Sequence, residues 1–143
     1  MQTLLSFLLF TIFLLLSLLH LYWALGGKWG FNQALPTNEQ GERILNPSSF
    51  ASAIVGFGLL LFAAYYLLKG EFIVAAVVPK WVVKYGGWGI SAIFLLRALG
   101  DFRYVGFFKS IKNTNFGTMD TKLYAPLCLL IGVAGVILQI IIQ

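Results

Sequence analysis

The side chains able to do chemistry are few: one histidine, His20, one cysteine, Cys128, and five carboxylates in 143 residues. His20 sits in "HLYWALGG", after an almost unbroken run of Leu and Phe and before Gly26 and Gly27. Arg97 and Asp101 stand one helical turn apart in "RALGDFRYVGFFK", residues 97–109, and Asp120 precedes "YAPLC", residues 124–128. An imidazole near neutral pKa suits acid–base work or an anion, a guanidinium forks onto phosphate or carboxylate, and a thiol is a nucleophile once deprotonated. The candidate catalytic residues are therefore His20, Asp101 as its orienter, and Cys128; the candidate ligand-binding residues are His20, Trp23, Arg97, Asp101, Tyr104 and Asp120.

The elements that position them are membrane spans. With 59% hydrophobic residues, 10% charged and a mean hydropathy of +0.87, the chain carries more apolar surface than a soluble domain of this length can bury. Lipid takes up the difference. Residues 3–25 hold no charge except on His20, and at about 1.5 Å per residue they reach about 33 Å, enough for a hydrocarbon core of about 30 Å. A cleaved signal peptide competes for that run, but no Lys or Arg precedes it and it is long. Further spans are expected over 49–68, 81–99 and 124–142. Asn46-Pro47 opens the second, and Asp120 or Thr121 caps the fourth with Pro126 in its first turn. The stretch Phe72 to Val78 reads as a helix extension or an interfacial turn. The fold class is all-α: a single membrane domain, 1–143, built as a four-helix bundle with loops 26–48 and 100–123 on one side.

Ten Lys and Arg against five acids leave a net charge of +5. Loops 26–48 and 100–123 with Arg97 carry seven of the ten basic residues, and the middle connection carries Lys69, Lys80 and Lys84. The positive-inside rule then places the two long loops in the cytoplasm and both termini outside. Nucleic acid is not an expected partner. One cysteine makes no internal disulfide, no Cys/His cluster suggests zinc, and a lone histidine lacks the second axial ligand of a b-type haem unless a dimer or Met119 supplies it. No cofactor or metal is expected.

Packing faces follow from small residues at helical spacing: Ser49, Ala53 and Gly56 in the second span, Cys128, Gly132, Gly135 and Gln139 in the fourth. In the first span Thr3, Ser6, Phe10, Phe13, Ser17 and His20 form one stripe. Arg97 takes Asp101 as its first candidate partner, as an i, i+4 interfacial ion pair or as part of a shared site. Depth favours sharing, because His20, Arg97 and Cys128 approach the same membrane face from three helices, with Asp101 and Asp120 at its edge. Loops of over twenty residues above them are more often functional or disordered than idle. Trp23, Trp29, Tyr104, Phe107 and Phe108 form an aromatic wall or an interfacial belt.

These motifs resemble an uncharacterised family of small bacterial four-helix membrane proteins, domain of unknown function 3995, over nearly the whole chain. The resemblance implies His20, Trp23, Gly26, Gly27, Arg97, Gly100, Asp101, Tyr104, Gly106, Asp120, Pro126 and Cys128 as signature positions and a bacterial cytoplasmic (inner) membrane location; it supplies no activity. Three functions are weighed: binding of a membrane lipid or small amphiphile in a polar pocket, an integral-membrane enzyme acting on such an amphiphile, and a transporter or accessory subunit, with a homodimer allowed in each.

Overall fold

The computed structural model describes residues 1–74 and 76–142. Four helices are long and apolar enough to cross a membrane: α1 (Gln2–Ala24), α2 (Ser49–Lys69), α3 (Lys80–Leu99) and α4 (Asn115–Ile142). The described residues form no strand, only an isolated bridge between Thr37 and Arg43. Leu15, Phe50, Phe57 and Ile140 are among many large apolar side chains exposed on the outside. That outside matches lipid, where only intrahelical bonding satisfies the backbone.

The helices pack as two antiparallel pairs, α1 with α2 and α3 with α4. Close approach depends on small residues. A Cβ at Gly56 would lie 2.8 Å from the Leu21 side chain across α1/α2, and one at Gly132 would lie 2.6 Å from that of Leu95 across α3/α4. Ser17 Oγ donates to the Gly56 carbonyl at 2.7 Å. The pairs meet on an aromatic centre: the Phe13 ring stacks on Tyr66 at 5.5 Å and meets Phe94 edge-on at 5.2 Å. The expected stripe of α1 is buried at Ser6, Phe13 and Ser17, while Thr3 is exposed. On α2 the buried face is Ser52, Gly56, Leu59 and Ala63, rotated from the expected one so that Ser49 is exposed. That rotation also turns Tyr66 onto Phe13.

Helix ends differ from expectation where polar residues interrupt the hydropathy. Ser48, not Asn46, caps α2, its side chain accepting from the Ala51 N–H at 3.1 Å. α4 begins nine residues before Tyr124, capped by Thr114, whose hydroxyl accepts from Gly117 N–H at 2.9 Å. Asp120 is therefore inside the helix. Pro126 lacks the N–H that the Lys122 carbonyl would take, and the chain absorbs the defect as a π turn over Asp120–Tyr124, with Ala125 N–H donating to the Asp120 carbonyl. After Gly70 the chain turns rather than extending α2, with Phe72 N–H on the Leu67 carbonyl at 3.0 Å. Ala75, in the stretch Phe72 to Val78, lies outside the described residues.

Candidate functional site

The π turn delivers a fully buried carboxylate to the end of the bundle that carries the two long loops. Asp120 Oδ1 accepts from Arg97 Nη2 at 3.0 Å, and Oδ2 accepts from Lys109 Nζ at 3.1 Å and from Gly106 N–H at 2.7 Å. Lys109 is 1% exposed and donates also to Gly106 O at 2.9 Å and Thr121 Oγ1 at 2.6 Å. Two cations share one anion. The cluster therefore keeps one positive charge, and of the two cations Arg97 is the one with exposed surface, its side chain being 33% exposed; its Nη1 is itself buried and has no hydrogen-bond partner.

Asp101 serves the loop instead of Arg97. Its Oδ1 accepts from the N–H groups of Arg103, Tyr104 and Val105 at 3.0, 2.7 and 2.9 Å. Partial burial pushes its carboxyl up, but these backbone donors outweigh that and hold it below the usual carboxylate range. The physical reason is local. α3 stops at Leu99, and Gly100 turns the chain so that the next N–H groups converge on the nearest carboxylate. Asp101 thus folds the turn that aims Gly106 N–H at Asp120, which lies 23 residues beyond Arg97 in sequence.

Beside Arg97 a cavity of about 430 Å³ opens between the four helices. Leu16, Leu59, Phe94 and Ile131 belong to its apolar wall, and His20, Trp23, Arg97, Tyr124 and Cys128 border it as well. Phe31, Ala34, Leu35 and Pro47 of the first long loop close over it. Tyr124 OH donates to the Gln33 carbonyl at 3.3 Å, and Trp23 Nε1 donates to the Trp29 carbonyl at 2.8 Å, tying helices to that roof. The Trp23 ring meets His20 at 4.9 Å and Phe31 at 5.6 Å, so the imidazole and the roof share one aromatic contact. His20 Nδ1 lies 2.8 Å from the Leu16 carbonyl. That contact fixes the proton on Nδ1 and leaves Nε2 as the nitrogen available to a ligand.

The structure thus brings His20, Trp23, Arg97 and Cys128 to one cavity and places Asp120 behind Arg97. Asp101 and Tyr104 do not border it; Tyr104 instead lies under the Arg103 guanidinium at 5.1 Å. Lys109 and Tyr124 belong to this candidate site and are not singled out in the sequence. A lysine after two phenylalanines in a loop reads as solvated, and only the fold reveals its burial. Among the described residues no three His, Cys, Asp or Glu side chains converge as metal ligands would.

The family model described as a protein of unknown function, DUF3995, matches residues 13–135. The chain belongs to that family. No curated protein and no solved structure matches it. The matched region of the DUF3995 chain holds every cavity residue named above, the Arg97–Asp120–Lys109 cluster, and the glycines that shape its loop.

Proposed function

We propose that this DUF3995 protein binds a lipid or small amphiphile with an anionic head, the head on Arg97 and His20 and the apolar part in the cavity between the helices, at the cytoplasmic face of the bacterial inner membrane. One observation carries the reading: Arg97, held through Nη2 by a buried carboxylate, borders an apolar cavity with its side chain one third exposed and a buried Nη1 that has no partner. A polar group taken out of water without a partner costs about 1–3 kcal/mol, which an incoming oxyanion would recover. Asp120 fixes the guanidinium and Lys109 cancels Asp120, so Arg97 keeps its full charge for the ligand. His20 Nε2 accepts from a protonated head or, with the ring charged, donates to an anionic one.

The test is lipid retained per protomer, read by native mass spectrometry on protein purified in a mild detergent. Wild type should keep one anionic species, and His20→Gln and Arg97→Lys should each lose it. Lysine supplies a point charge that cannot serve Asp120 and a ligand together. His20→Gln should cost about 1 kcal/mol of stability at most, because an amide can still donate to the Leu16 carbonyl. Equal retention by all three proteins would sink the proposal.

Sidedness has its own check. In a Cys128→Ser background, Lys28→Cys and Lys112→Cys should resist an impermeant maleimide in intact cells and react after the membrane is opened. Labelling from outside would move the cavity to the external face.

A further inference from the structure

The opposite end of the bundle, where α1 and α3 begin and α2 and α4 end, holds a second cavity, of about 520 Å³, bordered by Lys69, Lys84, Trp88, Gln139 and Ile142. Three features set it apart from an ordinary solvated helix end. Lys69 is 9% exposed, yet neither it nor Lys84 meets an acid: among the described residues the ion pairs are those of Asp120, at the other end of the bundle. Gln139 is 3% exposed, and its Nε2 has no hydrogen-bond partner. Gly87 makes room for it, since a Cβ there would fall onto the Gln139 amide.

Two cations that border one cavity with no acid beside them among the described residues repel each other, and a buried amide without an acceptor is costly. Both are relieved by one kind of guest, an oxyanion that accepts from two ammonium groups and an amide. An apolar guest would relieve neither. Trp81, Tyr85 and Trp88 lie along the first turns of α3 on this end, and such aromatic side chains sit at headgroup depth. Lys84, in the same turns, then meets a lipid phosphate at its natural level.

We infer that Lys69, Lys84 and Gln139 form a second, separate site for a phosphate-type oxyanion at the membrane face opposite the first cavity. It does not rest on the lipid-binding reading of Arg97 and His20, from which it is separated by the Phe13, Phe94 and Tyr66 layer. The oxyanion is either free or the headgroup of a lipid in that leaflet.

Acetylation footprinting of the lysines by mass spectrometry separates the sources on the intact chain. One arm adds inorganic phosphate to delipidated protein in neutral detergent; the other compares nanodiscs of phosphatidylglycerol with nanodiscs of phosphatidylcholine. Lys84 should be acetylated about tenfold more slowly with an occupant, while exposed Lys80, one turn away, reports general screening. Protection by phosphate identifies a free oxyanion, and protection by phosphatidylglycerol alone identifies a headgroup; either supports the site. Gln139→Leu removes the amide without touching a lysine and leaves no orphaned polar group, so it should fold and lose the protection. Arg97→Lys should keep it, which distinguishes failure here from failure of the first site. Equal protection of Lys80 and Lys84, none with either probe, or protection that survives Gln139→Leu would overturn the inference.

Discussion

Asp120→Asn should destabilise the protein by about 3–5 kcal/mol, the loss expected when a buried ion pair is broken from one side. Most of the penalty falls on Lys109, which is 1% exposed and keeps only Gly106 O and Thr121 Oγ1 as partners once the carboxylate is neutral. Arg97, one third exposed, can hydrate and suffers less. Lys109→Met should cost less than Asp120→Asn, because Asp120 would still hold Arg97 and Gly106 N–H. The double variant should therefore be more stable than the sum of the two losses, since the methionine removes the charge that the asparagine strands. Thermal melting of the four proteins in one detergent measures this. A melting temperature for Asp120→Asn within experimental error of wild type would show that Asp120 does not anchor the loop face.

How much of this was legible depends on how far each contact reaches along the chain. The four spans are readable from hydropathy alone, and helix rise carries His20, Arg97 and Cys128 to one end of the bundle, where they border one cavity. The start of α4 was not readable, because Asp120, Thr121 and Lys122 look like loop residues until Lys109 is seen to donate to two of them. Proximity in sequence favoured Asp101 for Arg97, at i, i+4. The loop 100–114 instead folds back on α3, with Phe107 N–H on the Ala98 carbonyl at 2.8 Å, and delivers Asp120 to the guanidinium. Asp101 is a candidate orienter and ligand-binding residue in the sequence, whereas in the structure its carboxylate serves backbone N–H groups, a role that a side-chain pattern does not reveal. On α2 the expected face holds at Gly56, which is buried, but not at Ser49, which is exposed, for a similar reason. Small residues mark a surface where helices can approach, whereas the match of Tyr66 to Phe13 decides which of two adjacent faces turns inward.

Gly100→Ala should be nearly as damaging as the loss of Asp120, although it removes no interaction. Gly100 has φ 90° and ψ −171°, a region essentially restricted to glycine, and a Cβ there would fall onto the Val105 carbonyl oxygen. The strain alone costs about 1–3 kcal/mol. The overlap adds to it, because Val105 O cannot retreat while it accepts from Asp101 N–H at 3.2 Å and its own N–H is held by Asp101 Oδ1. Relief requires opening the 100–106 turn, and that turn carries Gly106 N–H to Asp120. The variant should therefore lose the loop before it loses the bundle: helical content stays close to wild type while trypsin gains access at Arg103 and Lys109, the second of which the wild-type fold buries. Gly89→Ala is the matched control, because a Cβ there meets nothing within 4 Å and alanine improves a helix interior by about 1 kcal/mol. If Gly100→Ala keeps Lys109 resistant to trypsin and melts with Gly89→Ala, the turn is not what holds the cluster together, and Asp120 must be fixed by α4 alone.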